Sequence, residues 1–133
     1  MAHSWPIRIY YEDTDMAGIV YYANYLKFIE RGRSEMLRDL GVDQAALRDN
    51  DGIVFAVRRV EADYLMAAKF DDQLDVVTKV TRVSGARVVL NQQVFRNKDV
   101  VFQAIVTIVA LTTAGSAARL PQSVREVFNN ASA

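Results

Sequence analysis

The chain has no cysteine and a single histidine, His3, in 133 residues. The first absence removes thiol nucleophiles and any disulfide framework. The second leaves a Ser-His-Asp triad or a histidine-based metal site dependent on one residue near the N-terminus, so neither is expected. Charge of one sign is also missing: 16 Lys and Arg balance 16 Asp and Glu, for a formal net charge of 0. Nucleic-acid binders usually carry a basic surplus, so nucleic acid is not the expected partner. Long apolar runs are absent too. The longest, Ala104 to Leu111, falls far short of the roughly 18 residues that a membrane-spanning helix requires. The opening segment, MAHSWPIRIYYEDTD, has no basic stretch followed by an apolar one, which argues against a signal peptide and for a cytoplasmic setting. The side chains left for catalysis are carboxylates, hydroxyls, lysine and arginine, with backbone dipoles beside them.

What remains is ordinary globular composition, 51% hydrophobic and 24% charged, with no repeat, low-complexity tract or linker. One domain over residues 1–133 is expected. A chain of this size buries about two thirds of its unfolded surface and needs no cross-link to fold. After Pro6, Ile7 to Tyr11 alternates and predicts a short strand. From Ala23 to Leu40 the period changes. Tyr22, Tyr25, Leu26, Ile29, Met36, Leu37 and Leu40 recur at helical spacing, with Lys27, Glu30, Arg31, Ser34, Glu35 and Arg38 between them. That predicts an amphipathic helix stopped by Gly41, with an Arg31–Glu35 pair on its outer face. Gly32 falls on the apolar side, where a glycine implies close approach of another backbone, here a sheet. Residues 42–52 read as a helical turn and loop. Ile53–Leu65, Gln73–Val83, Arg87–Arg96 and Val100–Thr113 read as strands, the last three a meander through turns at 84–86 and 97–99. The near-continuous apolar run of the last strand suggests burial on both faces. Pro121 opens a short terminal helix. The class is α+β, one long helix on an antiparallel sheet of about five strands. The sheet exceeds what one helix covers, so its other face or its edge is expected to meet another subunit.

Chemistry concentrates in EDTDMAGIVYY, Glu12 to Tyr22. Three carboxylates precede a glycine turn and then the start of the long helix. The first N–H groups of a helix lack internal partners and sit at its positive end. An N–H near Tyr22 could therefore polarise a carbonyl, and a nearby carboxylate could attack that carbonyl or activate a water. Thioesters suit so small a toolkit, because a thiol of pKa about 8.5 departs with little acid assistance. Turn and helix-start carboxylates also serve as plain caps, and spacing alone does not separate Asp15 from Asp13. Glu12 and Asp13 are read as exposed or capping. No metal or redox cofactor is implied.

The segment YYEDTDMAGIVYYANYLKFIERGRSEMLRDLG resembles the N-terminal motif of the hotdog-fold acyl-CoA thioesterases of the 4-hydroxybenzoyl-CoA thioesterase family, above all the YbgC-type branch associated with the Tol-Pal system. The resemblance continues through FAVRRVEADYLMAAKFDDQLDVVTKV, VSGARVVLNQQVF and Arg119-Leu120-Pro121. It implies a helix wrapped by an antiparallel sheet, with homodimers joined edge to edge that commonly pair into homotetramers. It places the catalytic aspartate on Asp15 and the oxyanion-polarising N–H on Tyr22. Many YbgC-type members carry histidine where this chain has Tyr22, whereas the 4-hydroxybenzoyl-CoA enzymes have tyrosine; the backbone N–H is common to both. Arg87 and Arg119 occupy segments that line the coenzyme A groove in similar proteins, with Arg58, Arg59, Arg82 and Lys79 in reserve. Met16, Ile19, Tyr21 and Tyr25 are candidates for the acyl wall. The substrate implied is an acyl-CoA, with acyl carrier protein as the other possible acyl donor. Two rival readings remain: a non-catalytic acyl-thioester binder or scaffold in a cell-envelope complex, and a hotdog dehydratase, which the lack of an internal histidine disfavours.

Overall fold

A computed structural model describes residues 2–132. Strand β1 (Ala2–Arg8) leads through a helical turn at Tyr11–Asp13 to helix α1 (Asn24–Asp39). The short helix α2 (Gln44–Ala46) and a wide turn at Leu47–Asp51 follow. Strands β2 (Ile53–Tyr64), β3 (Gln73–Val83), β4 (Arg87–Arg96) and β5 (Asp99–Thr112) precede the terminal helix α3 (Gln122–Ser132). The five strands form one antiparallel sheet in the order β1-β3-β4-β5-β2. The meander β3–β4–β5 is its centre, and β1 and β2 are its edges.

Alternation along the central strands sends one face to the core. Leu74, Val76, Thr78 and Val80 of β3, Leu90, Gln92 and Val94 of β4, and Phe102, Ala104 and Val106 of β5 are buried there. Helix α1 answers with Tyr25, Phe28, Ile29, Gly32, Met36 and Leu37. Gly32 allows the contact: a Cβ at that position would lie 2.4 Å from Val76 Cγ1, closer than any packing tolerates. Beside it, the fully buried Gln92 donates from Nε2 to the Ile29 carbonyl at 2.8 Å and to Thr78 Oγ1 at 2.9 Å. That amide joins helix to sheet, and its hydrogen bonds offset its desolvation. Gly41 has φ +83°, and its N–H and that of Val42 donate to the Arg38 and Leu37 carbonyls. This closes the helix as its sequence predicts.

Three expectations change. The first strand is Ala2–Arg8 rather than Ile7–Tyr11. It runs through Pro6, which an edge strand tolerates because no further strand uses the missing N–H. Strand β5 is not covered on both faces, since Ile105 on its outer side is 44% exposed. Its apolar run reflects a central position in the sheet, between β4 and β2. The Arg31–Glu35 pair does not form; Glu35 is bonded instead to Arg38, one turn further on.

Candidate functional site

The acidic turn is a small, tightly tied loop. Thr14 and Val20 bridge antiparallel. Inside that bridge the Asp15 N–H donates to the Ile19 carbonyl at 2.9 Å, and the Gly18 N–H returns to the Asp15 carbonyl at 2.9 Å. Gly18 sits at φ +80°, a conformation open to glycine at no steric cost. The loop is braced from behind. Val20 N–H donates to the Ala68 carbonyl, and Ile19 bridges Lys69. The Asp72 carboxylate then holds that support by accepting from Lys69 N–H at 2.8 Å and pairing with Arg96 at 3.0 Å.

The three carboxylates have different duties. Asp13 Oδ2 accepts the Tyr10 N–H at 2.8 Å, a cap on the turn at Tyr11–Asp13. Glu12 is exposed and makes no side-chain hydrogen bond among the described residues. Asp15 is exposed, and its Oδ1 accepts only the Ala17 N–H, at 2.9 Å; Oδ2 has no partner among the described residues. One carboxylate is thus committed to structure and another is held by one oxygen with the other free.

The chain then reaches α1. Tyr21 N–H donates to the Asp13 carbonyl, and Asn24 N–H to the Tyr21 carbonyl. The Tyr22 N–H between them has no acceptor among the described residues. It lies two residues before the first residue of α1, at the positive end of the helix. Around it stands an aromatic cluster. Tyr22 meets Tyr21 and Tyr64 edge-on at 5.0 Å and 5.9 Å between ring centres, and Tyr64 leans on Phe102 at 5.0 Å. Burial raises the Tyr64 phenol above its ordinary range, with the Tyr22 phenol adding to it, and burial likewise raises Tyr25. Neither phenol therefore ionises to serve as a base near neutrality. Tyr25 is in the core, stacked on Phe102, whereas Met16, next to Asp15 in the chain, and Tyr21, bonded at the Asp13 carbonyl, stand exposed. His3 is bonded to Asp39 at 2.6 Å, at the far end of α1 and roughly 25 Å along the helix from Tyr22.

The arginines lie elsewhere. Arg87, Arg58, Arg59 and Thr107 line a surface depression of about 550 Å³. The Arg119 guanidinium lies over Gly85, 3.0 Å from where a Cβ would stand. Both Arg87 and Arg119 flank the 84–86 turn, where Leu120 N–H donates to the Gly85 carbonyl. Arg87 pairs with Val109 and Tyr64 with Phe102, so the two clusters are separated by roughly 23 Å along β5. One chain does not bring them together.

A further cavity, of about 210 Å³, opens between α1 and β2, with Glu30, Arg33, Leu37, Phe55 and Val57 in its wall. Its charged members carried no sequence signal beyond membership of a helix face.

Residues 17–103 match the family model described as the thioesterase superfamily. The chain is 38% identical over 128 residues to the acyl-CoA thioesterase YbgC of Haemophilus influenzae, covering 96% of this chain and 94% of that protein. It is 42% identical over 90 residues to the acyl-CoA thioester hydrolase YbgC of Escherichia coli O6:H1, covering 68% of this chain and 66% of that one. The crystal structure of a probable thioesterase from Bartonella henselae aligns with a TM-score of 0.87 at 36% identity, over 91% of this chain and 100% of that one.

Proposed function

Since the chain belongs to the thioesterase superfamily, has its hotdog fold and is a thioester hydrolase, we propose that it cleaves acyl-CoA at the Asp15–Tyr22 loop. The observation that carries this reading is the pairing of two unused groups. Among the described residues the Tyr22 N–H has no acceptor and Asp15 has a free oxygen, on either side of a loop only a few residues long. The thioester carbonyl accepts the Tyr22 N–H, and the helix dipole favours the charge that grows on its oxygen. Asp15 attacks the carbonyl carbon or takes a proton from the water that does. The C–S bond then breaks, and coenzyme A leaves as a thiolate that needs little acid help; where Asp15 was the nucleophile, water then hydrolyses the acyl–Asp15 anhydride, releasing the carboxylic acid and restoring the carboxylate. No metal or redox cofactor enters this sequence of steps. The relatives' names place acyl-CoA as their substrate; an acyl carrier protein presents the same thioester and would meet the same loop.

The acting form in this reading is a homodimer through β2. That strand is a twelve-residue sheet edge, and its core-facing Val57 and Val60 are 44% and 37% exposed. Long exposed edges of this kind invite another strand. Two β2 strands paired antiparallel about a twofold axis set the N-terminal half of one against the C-terminal half of the other. Arg58 and Arg59 then sit near the axis, and Arg87, level with Ala56 in the sheet, faces toward the Tyr64 end of the other chain, which adjoins that chain's Tyr22 loop. Coenzyme A phosphates would be held by those arginines and by Arg119 while the thioester reaches Asp15.

Thiol release from short, long and aromatic acyl-CoAs tests the reading with wild type, Asp15→Asn and Asp13→Asn side by side. Asp15→Asn should lower turnover at least about a hundredfold with no loss of folding. Asp13→Asn should lose about 1 kcal/mol of stability with its Tyr10 bond and keep most of its turnover. An Asp15→Asn protein as active as wild type would sink the assignment.

A further inference from the structure

The segment between β2 and β3 is the floor on which the Asp15 loop rests. Val20 N–H donates to the Ala68 carbonyl at 2.8 Å, and Ile19 bridges Lys69. Ala68 itself is fully buried. Arg96, the last residue of β4, reaches across to this floor. Its Nη1 donates to the Ala67 carbonyl at 2.9 Å and to Asp72 Oδ2 at 3.0 Å. The same carboxylate oxygen accepts the Lys69 N–H at 2.8 Å. One nitrogen and one oxygen thus pin the residues on both sides of Ala68.

This pair is unlike the other ion pairs among the described residues. The Arg96 and Asp72 side chains are 27% and 26% exposed, whereas every other pair has at least one partner more than half exposed. Exposed pairs hold little. A covered pair that also bonds the backbone on each side keeps one arrangement. The contrast is sharpest within the same turn, where Arg8 donates to Asp71 Oδ1 at 2.9 Å but both partners face solvent. Tyr25, in the first turn of α1, meets the same place from the helix side. Burial raises its phenol, and the Ala68 N–H and the Arg96 charge draw it partly back. The loop, the start of α1 and the segment 67–72 therefore converge on Ala68.

We infer that Arg96 and Asp72 are positioning residues for the reaction: by clamping Ala67 and Lys69 they hold Ala68, and through Val20 and Ile19 they set where the free oxygen of Asp15 stands relative to the Tyr22 N–H. The inference rests on the Asp15–Tyr22 reading proposed above. Neither residue touches the substrate in this role. Its effect comes through geometry, where a displacement of about 1 Å costs on the order of a hundredfold in rate. Because a single nitrogen of Arg96 makes both bonds, a lysine ammonium supplies the same donors and a methionine supplies none.

Steady-state acyl-CoA hydrolysis and amide hydrogen exchange on the full chain test this. Arg96→Met should lower kcat at least about tenfold and leave KM within about threefold. Arg96→Lys should hold kcat within about threefold of wild type, and so should Arg8→Met, which removes the exposed pair of the same turn. In Arg96→Met the Asp15 and Val20 amides should exchange at least about tenfold faster while amides at the centre of β4 and β5 keep their wild-type rates; a role confined to general stability would speed both sets and overturn the inference. On an Asp15→Asn background, Arg96→Met should cost no more than about a further twofold, since a residue acting through Asp15 has nothing left to position. Where Arg96→Met fails to fold, Asp72→Asn, equal in size and without the charge, reads the pair in its place, with kcat at least about fivefold down. Wild-type kcat in Arg96→Met, or a loss that Arg8→Met matches, overturns the positioning role. An Asp15→Asn protein as active as wild type overturns the catalytic reading instead, and the exchange rates of Asp15 and Val20 then still decide whether Arg96 holds the loop.

Discussion

Asp13 and Asp15 are two residues apart and chemically identical, yet one closes a turn and the other presents an oxygen to solvent. Their sequence spacing does not distinguish them, because the distinction depends on which backbone N–H each can reach after the chain has folded back at Gly18. The family resemblance points to Asp15; the hydrogen bonds show that Asp13 is occupied as a cap and that Asp15 keeps one oxygen without a partner among the described residues. Gly32 was legible without any resemblance, since a glycine on the buried stripe of a helix has few explanations. Its tight contact with Val76 yields a direct expectation. Gly32→Ala should destabilise the chain by about 1–3 kcal/mol, the usual range for overpacking. Urea denaturation gives the measurement, and a midpoint equal to wild type would mean that helix and sheet separate there easily. Arg33 was not legible in this way. Its position on the helix was plain, but its lack of a carboxylate partner among the described residues is a property of the packed interface.

At the scale of the element, the proposed reaction uses the N–H groups at the start of α1 as much as the fold uses its buried face. Tyr22 precedes the helix proper, and the cap residue Ala23 makes no side-chain cap bond, so nothing local competes with a substrate for the Tyr22 N–H. The side chain of Tyr22, 61% exposed, is a separate matter. Tyr22→Phe keeps both the N–H and the ring and should retain turnover within about threefold of wild type, whereas loss of a true oxyanion donor typically removes a hundredfold or more. A collapse of kcat in Tyr22→Phe would move the catalytic role to the phenol. The extents of α1, β3, β4 and β5 were readable from period and turn residues to within a residue or so, because each carries a continuous pattern. Strand β1 was not, because Pro6 interrupts the pattern that signals a strand, and only its place at the sheet edge makes Pro6 acceptable.

For the whole molecule the informative fact is a separation. The arginines suited to phosphate stand at the 84–86 turn, and the loop suited to the thioester stands at the opposite end of the strands. Sequence order contains no statement of sheet order, so the position of β2 at the edge, on which the proposed dimer rests, came from the fold. If Arg87 holds the nucleotide of coenzyme A, Arg87→Ala should raise KM for acyl-CoA about fivefold or more, as loss of a charge-assisted contact does. It should leave the KM of a truncated acyl thioester without the nucleotide unchanged. Steady-state kinetics on both substrates decides it, and equal effects on the two would place Arg87 outside the phosphate site. The two edges of the sheet, finally, are unlike. Strand β1 is short, contains Pro6, and is tied to the end of α1 through His3 and Asp39, whereas β2 is long and free of proline. A sheet with two receptive edges would polymerise, each added chain offering a fresh end. In the proposed dimer the proline strand would act as a chain terminator, so that addition through β2 would stop at two copies and give a closed particle instead of a fibre.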